Sequence, residues 1–133
     1  MNSLVTSAPG KLILSGEHAV VCGAPAIAIP TPKAAHCTLT HTTTDTPSLH
    51  IHLPQLDCHV SLNTFELAAL KQVLRTYHHA FCEGKASLPI INGPTDLVAY
   101  TCALFFETHP LDNQLKLALT TDLPIGCGMG SSA

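Results

Sequence analysis

The hydrophobic period of the chain changes along its length, and this change limits the folds that the chain can adopt. Apolar and polar residues alternate in "SLHIHLP", in "QLKLALT" and in the Cys37–Leu39 stretch of "AHCTLTHTTT". Successive side chains of an extended strand point to opposite faces, so the alternation predicts three half-buried strands. His50 and His52 are expected on the solvent-facing side of the first of them.

A helical period replaces the alternation between Asn63 and Glu83, where apolar residues recur every three or four positions. This spacing is typical of an amphipathic helix. Asn63 with Glu66 three residues later has the pattern of a capping box, and Gly84 is a plausible stop.

A second helix is predicted from about Thr95 to Thr108, with Pro110 closing it. The segment "TDLVAYTCALFFET" is apolar most of the way round, so it is expected to be buried on more than one side. Strands and helices in this order predict an α+β fold, with a mixed or antiparallel sheet and two or more helices on one face. The stretch "THTTTDT" is interpreted as a hairpin tip or an exposed strand end.

Composition bounds the size of the protein and the surface it exposes. The 133 residues are enough for at most one domain with a real core. Charged residues make up 11% of the chain and hydrophobic residues 46%, whereas an ordinary soluble domain is roughly 25% charged. Two interpretations stay open: apolar surface is covered by a partner or by more chain, or Thr, His and Ser supply the polar surface.

Charge and patterning make several classes of partner poor candidates. The formal net charge of −3 comes from singly scattered residues, so nucleic acid is not expected as a partner. The start "MNSLVTSAPGK" lacks the pattern of a signal peptide, and the uncharged stretch between Ala19 and Lys33 is too short and too rich in proline to span a bilayer. No membrane association and a cytoplasmic location are therefore expected.

Six cysteines and nine histidines raise the question of disulfides or a metal site. The cysteines lie about twenty residues apart without paired spacing, and we interpret them as reduced thiols. The clusters "HLPQLDCH" and "HHAFC" do not repeat the two-plus-two spacing of a zinc site. Plain surface histidines are the favoured interpretation.

A glycine-rich stretch follows the last predicted strand in "LALTTDLPIGCGMGSSA". Gly126, Gly128 and Gly130 let backbone N–H groups approach a ligand without interference from Cβ atoms. A helix beginning at Ser131 and Ser132 would add its positive end, which favours an anion such as phosphate. It is not a Walker motif, because no lysine precedes the serines. A plain glycine turn with a serine helix cap remains open at this point.

A second stretch, "SAPGKLILSGEHAVVCGAPAIAIP", places a lysine, an acid and a histidine among glycines. Pro9 and Gly10 predict a turn after which Lys11 opens a strand, and Gly16-Glu17-His18 predicts a second turn. A lone lysine at a strand start is normally solvated surface. The three groups together favour a small-molecule site.

These two stretches resemble the first and second signature motifs of the GHMP small-molecule kinases, and within them the mevalonate kinases. The text GEHAVV followed by G-x-P-A-I-A separates that branch from the galactokinases, homoserine kinases and phosphomevalonate kinases. The resemblance implies an N-terminal domain similar to domain 2 of ribosomal protein S5, here over residues 1–133 and ending at the phosphate-binding loop. It also implies ATP-dependent phosphorylation of the primary hydroxyl of mevalonate in isoprenoid precursor synthesis.

The resemblance further assigns roles to matched residues. Lys11 is the catalytic lysine, His18 and Glu17 contact or position mevalonate, and Ser132 ligates Mg²⁺. The ATP phosphates are bound by a set of four residues: Gly126, Gly128, Gly130 and Ser131. The catalytic aspartate, a glutamate that helps hold Mg²⁺ and a third glycine-rich motif lie beyond Ala133 in the family.

The chain is therefore expected to be incomplete, to need the C-terminal half of the kinase as a partner, and to be inactive alone. A homodimer is left open. The alternatives are another GHMP kinase such as a phosphomevalonate kinase, a non-catalytic nucleotide-binding fragment, and a truncated product that only aggregates or pairs.

Overall fold

The computed structural model describes residues 2–85 and 91–124 and has an α+β fold, as the sequence predicts. Two α-helices, α1 and α2, and two short 3₁₀ helices accompany five strands. The strands are β1 Asn2–Ser15, β2 Ile27–Thr42, β3 Ser48–Leu53, β4 Cys58–Asn63 and β5 Gln114–Thr121. The helices are α1 Thr64–Cys82, α2 Asp96–Phe105, and the 3₁₀ turns Ala19–Cys22 and Pro54–Leu56. Each of the three predicted strands lies within one of these elements.

The strands form one mixed sheet in the order β1-β2-β5-β3-β4. β3 pairs antiparallel with β4 and parallel with β5. Because β5 lies between β2 and β3, the segment that joins these two strands is not a hairpin tip. The hairpin interpretation of "THTTTDT" is wrong. A strand end is present there, since β2 continues to Thr42, but its residues are partly buried and not fully exposed as predicted.

The chain divides into two compact units. The first unit contains residues 2–4 and Thr38–Ala118, and the second contains Val5–Cys37 and the described residues 119–124. β1, β2 and β5 each contribute residues to both units. The functional candidates of the first motif all belong to the second unit.

The core of the first unit is built on β3. Leu49, Ile51 and Leu53 are buried, whereas His50 is partly exposed and His52 is exposed. This is the predicted alternation of a strand with one buried face. Helix α1 contacts β4 and α2, and Arg75 of α1 forms an ion pair with Glu107.

The predicted capping box at the start of α1 is present. The Glu66 amide donates to Asn63 Oδ1 at 2.9 Å, and the Asn63 amide donates to Glu66 Oε2 at 2.8 Å. At the other end the helix stops at Cys82, and Gly84 takes a left-handed conformation with φ of +70°. Both ends of the helix are therefore set by the residues that the sequence analysis named.

Helix α2 is shorter and more exposed than predicted. It runs over Asp96–Phe105, and its buried side chains are Ala99 and Ala103. Leu104 and Phe105 are 54% and 56% exposed. Burial on more than one side is thus wrong for α2, because the small residues, not the large ones, face the core. Across the part of the chain that the structure describes, no helix is long and apolar enough to cross a membrane.

Candidate functional site

Lys11 lies inside β1 and not at its start. The strand continues through Pro9 and Gly10, so the turn predicted there is wrong. β1 is the edge strand of the sheet, where a proline without an N–H group can be accommodated. Gly10 is buried and the neighbouring Lys11 is exposed.

The second predicted turn, Gly16-Glu17-His18, is present directly after β1. Gly16 has a φ of +85°, and a Cβ atom there would come within 2.5 Å of the Pro25 carbonyl oxygen. The chain at Pro25 therefore approaches the turn so closely that no larger residue than glycine fits. His18 occupies the N-cap position of the 3₁₀ turn that follows without a side-chain cap bond, and the Val20 amide donates to the Gly16 carbonyl at 3.0 Å.

The structure thus places Glu17 and His18 side by side on a tight turn, and Lys11 in the strand that leads into it. All three side chains are exposed. Among residues 2–85 and 91–124, none of the three has a hydrogen-bond or ion-pair partner. Their charged and polar ends are consequently available to a ligand.

The end of β5 is tied to β2 by a set of bonds that the sequence analysis did not anticipate. The Asp122 amide donates to the Ala34 carbonyl at 2.9 Å, and Lys33 Nζ donates to the Asp122 carbonyl at 3.3 Å. His36 Nε2 lies 3.4 Å from Asp122 Oδ2, which makes an ion pair when the imidazole is protonated. Asp122 therefore engages β2 through its backbone and its side chain.

Thr121 and Leu123 add to these bonds between the end of β5 and β2, which we call the Asp122 anchor. Thr121 Oγ1 donates to the Ala34 carbonyl at 3.4 Å and accepts from the Leu123 amide at 3.0 Å. The Leu123 side chain is 7% exposed. The signal that could have indicated this anchor is the Thr-Asp pair at the strand end, since both residue types bond to nearby backbone.

The predicted phosphate-binding residues and the predicted Mg²⁺ ligand lie outside the described residues: Gly126, Gly128, Gly130, Ser131 and Ser132. Within the described ranges, no group of three or more His, Cys, Asp or Glu side chains could hold a metal ion. The five described cysteines are free thiols. Burial raises the pKa of the Cys37 thiol.

Comparison with known proteins identifies proteins of similar sequence. No protein-family model matches it. The mevalonate kinase of Schizosaccharomyces pombe is 29% identical over 143 residues, which covers 98% of this chain and 34% of that protein. The mevalonate kinase of Dictyostelium discoideum is 32% identical over 144 residues, covering 99% of this chain and 35% of that protein.

The chain resembles mevalonate kinases. A third mevalonate kinase, from Methanothermobacter thermautotrophicus, is 30% identical over 127 residues, or 96% of this chain and 31% of its own. The resemblance predicted from the two motifs is thereby confirmed. The chain spans about a third of the length of these mevalonate kinases.

Solved structures agree on the fold. A mevalonate kinase structure superposes with a TM-score of 0.69 at 24% identity, covering 97% of this chain and 36% of that one. The Methanococcus jannaschii mevalonate kinase gives a TM-score of 0.69 at 23% identity, covering 98% and 36%. The five-stranded mixed sheet with two helices is therefore a fold shared with mevalonate kinases.

Proposed function

We propose that this chain supplies the acceptor-binding turn and the ATP-phosphate loop of a mevalonate kinase. The reaction transfers the γ-phosphoryl group of ATP to the primary hydroxyl of mevalonate, which forms 5-phosphomevalonate and releases ADP and the hydroxyl proton. The observation that carries the proposal is the similarity to mevalonate kinases along 96–99% of the chain. It is supported by the Gly16-Glu17-His18 turn, which the structure builds with its polar groups exposed.

Phosphoryl transfer needs positioned reactants and neutralised charge more than covalent chemistry from the protein. Lys11 is an exposed cation without a protein partner among the described residues. Its ammonium group would favour deprotonation of the acceptor hydroxyl and offset negative charge in the transition state. The close approach at Gly16 holds the turn, His18 would contact mevalonate, and Glu17 would contact it or hold the turn.

The donor side of the proposed site rests on the sequence of the glycine-rich segment. Backbone N–H groups of Gly126, Gly128, Gly130 and Ser131 would bind the ATP phosphates. Ser132 would hold Mg²⁺ through its hydroxyl oxygen, and the bound ion would offset phosphate charge. The bonds of Thr121 and Asp122 to β2 fix the strand from which this segment continues.

The relatives are about three times as long as the stretch that matches this chain, so the whole reaction would also use groups from the rest of such a kinase. A catalytic base, a further Mg²⁺ ligand and the rest of the acceptor pocket would come from a C-terminal half. This part of the proposal follows from the share of the relatives that the chain covers, about a third. Turnover by the 133 residues alone is not expected.

Binding of mevalonate to the 133-residue chain tests the acceptor role of Lys11 and His18. We expect Lys11→Met and His18→Ala each to weaken mevalonate binding about tenfold, or about 1.4 kcal/mol, in a calorimetric titration. Lys71→Met removes the same charge from α1, an element of the first unit, and is the matched control. Equal affinity in Lys11→Met, His18→Ala and the unmodified chain would refute the assignment.

A second candidate function is nucleotide binding without catalysis, which is favoured by the limited share of the relatives that the chain covers. It predicts binding of a non-hydrolysable ATP analogue without any binding of mevalonate. Binding of both ligands favours the kinase. The two titrations therefore separate the candidates.

A further inference from the structure

One face of the sheet in the first unit carries basic and hydroxyl side chains. In the parallel pairing of β3 with β5, His50 lies beside Lys116 and His52 beside Ala118. In the antiparallel pairing with β4, His52 lies opposite His59. Neighbouring strands are about 4.8 Å apart, so these side chains form two adjacent rows across the face, one with His50 and Lys116 and the next with His52, Ala118 and His59. Leu49 and Ile51, which alternate with the histidines along β3, point to the opposite, buried face.

No acidic side chain offsets this basic face within the strands. All five strands lie in the described part of the chain, and none contains Asp or Glu. The nine acidic residues of the chain lie in helices, turns and connections instead. The groups on this face that can carry positive charge are Lys116, His50, His52 and His59. An anion approaching it meets attraction from every one of these groups that is protonated.

The face contains a hollow of about 290 Å³. Its polar lining is a set of five side chains: Thr38, Thr40, His50, His52 and Lys116. Ala118 lines it too, and this small residue beside His52 leaves the space that a longer side chain would fill. The volume lies near the lower end for ligand pockets, about 300 Å³, so a small molecule fits better than a polymer.

The His50 ring is held in place at the edge of the hollow. Gln114 Nε2 donates to His50 Nε2 at 3.1 Å, and Ser48 Oγ lies 3.2 Å from the same nitrogen. A nitrogen that accepts these bonds leaves the hydrogen of the neutral ring on Nδ1. His50 is therefore a donor in a fixed position, supported by polar neighbours on β3 and β5.

We propose that this hollow binds a small oxyanion with at least two negative charges, of the phosphate or sulfate kind. An ammonium group, imidazole N–H groups and threonine hydroxyls are the donors that such an anion accepts. The site is made by β2, β3 and β5 and shares no residue with the proposed mevalonate or ATP-phosphate positions. It stands whether or not the proposed kinase function does.

Sulfate is the probe of choice, because it stays a dianion throughout the neutral pH range. In ¹H–¹⁵N spectra of the full 133-residue chain, we expect sulfate to shift the amides of residues 50, 52, 116 and 118. Chloride at equal ionic strength should not.

Lys116→Gln should weaken sulfate binding at least about fivefold, and Lys71→Gln, with the same loss of charge on α1, should leave it unchanged. The double variant His50→Ala with His52→Ala removes two donors that line the hollow and should also weaken sulfate binding. Unchanged spectra around β3 and β5, or equal effects of the two lysine variants, would overturn the proposal. Citrate in place of sulfate tests the carboxylate alternative: tighter binding of citrate would overturn the phosphate-type assignment.

Discussion

At the residue scale, Gly16 explains how the turn that presents Glu17 and His18 is built. Its positive φ and the short distances to Pro25 and Ala26 leave no room for a side chain. Gly23, at the end of the following 3₁₀ turn, has a similar φ of +82° but open space around it. Gly23 is therefore required for its backbone conformation alone, whereas Gly16 is required both for its conformation and because a side chain would not fit.

Substituting these glycines tests that distinction. Gly23→Ala should cost about 1–2 kcal/mol of unfolding free energy, the cost of a left-handed conformation for a residue with a Cβ atom. Gly16→Ala should cost about 1–3 kcal/mol more, because its methyl group also overlaps the backbone of Pro25 and Ala26. Urea denaturation measures both values. Equal losses in the two variants would mean that the close approach at Gly16 is absent in solution.

The thiol of Cys37 gives a prediction about pH. Burial raises its pKa, so less thiolate is present at a given pH than in the unfolded chain, and the thiol is also less exposed than that of Cys22. Pulsed alkylation read by peptide mass spectrometry should therefore modify Cys37 more slowly in the native chain, with the difference vanishing in urea. Because the folded state favours the protonated thiol, Cys37 should lower stability as the pH rises above the ordinary thiol value of about 8.5. Faster native labelling of Cys37 than of Cys22 would contradict this account.

At the scale of elements, helix α1 could be predicted well and strand β1 could not. The capping box of α1 is a local pattern, since Asn63 and Glu66 satisfy each other's backbone groups without help from the rest of the chain. The Pro9-Gly10 pair also has a local turn signal, yet it lies within a strand. What decided its conformation was the place of β1 at the sheet edge, which local sequence does not show.

Removing the cap tests how much it stabilises α1. Asn63→Ala should lower the unfolding free energy by about 1 kcal/mol, because the Glu66 amide loses its acceptor. Asn63→Asp keeps an acceptor oxygen and should recover most of the loss. Thermal or urea unfolding followed by circular dichroism measures the effect. If Asn63→Asp is as unstable as Asn63→Ala, the hydrogen bond from the Glu66 amide to the side chain at position 63 is not what stabilises the helix.

At the scale of the whole molecule, the fold class could be predicted but the strand order could not. The hydrophobic periodicity identified β3, β5 and both helices, because an element with one buried face has apolar residues at regular spacing. Placing β5 between β2 and β3 depends on pairing between segments far apart in the chain. The exposed Leu104 and Phe105 of α2 likewise depend on which residues face the core, which the uniformly apolar sequence of α2 does not indicate.

The candidate site also contains residues that local sequence could place and residues that it could not. Glu17 and His18 could be placed on a turn because the Gly-Glu-His pattern is local. The anchor of Asp122 on β2 could not, because its partners Lys33, Ala34 and His36 lie more than eighty residues earlier in the chain. Roles for Lys11 and the glycine-rich segment came from the resemblance to mevalonate kinases and stay predictions.

The most direct test of the central claim is a pair of calorimetric titrations of the 133-residue chain, one with mevalonate and one with a non-hydrolysable ATP analogue plus Mg²⁺. Gly128→Asp is the comparison variant, since it sets a carboxylate in the proposed phosphate loop. The account predicts that both ligands bind the unmodified chain, and that Gly128→Asp loses at least about tenfold, or 1.4 kcal/mol, for the ATP analogue while keeping mevalonate. Circular dichroism checks that the chain is folded. If the folded chain does not bind mevalonate, or does not bind the ATP analogue, the proposal is contradicted.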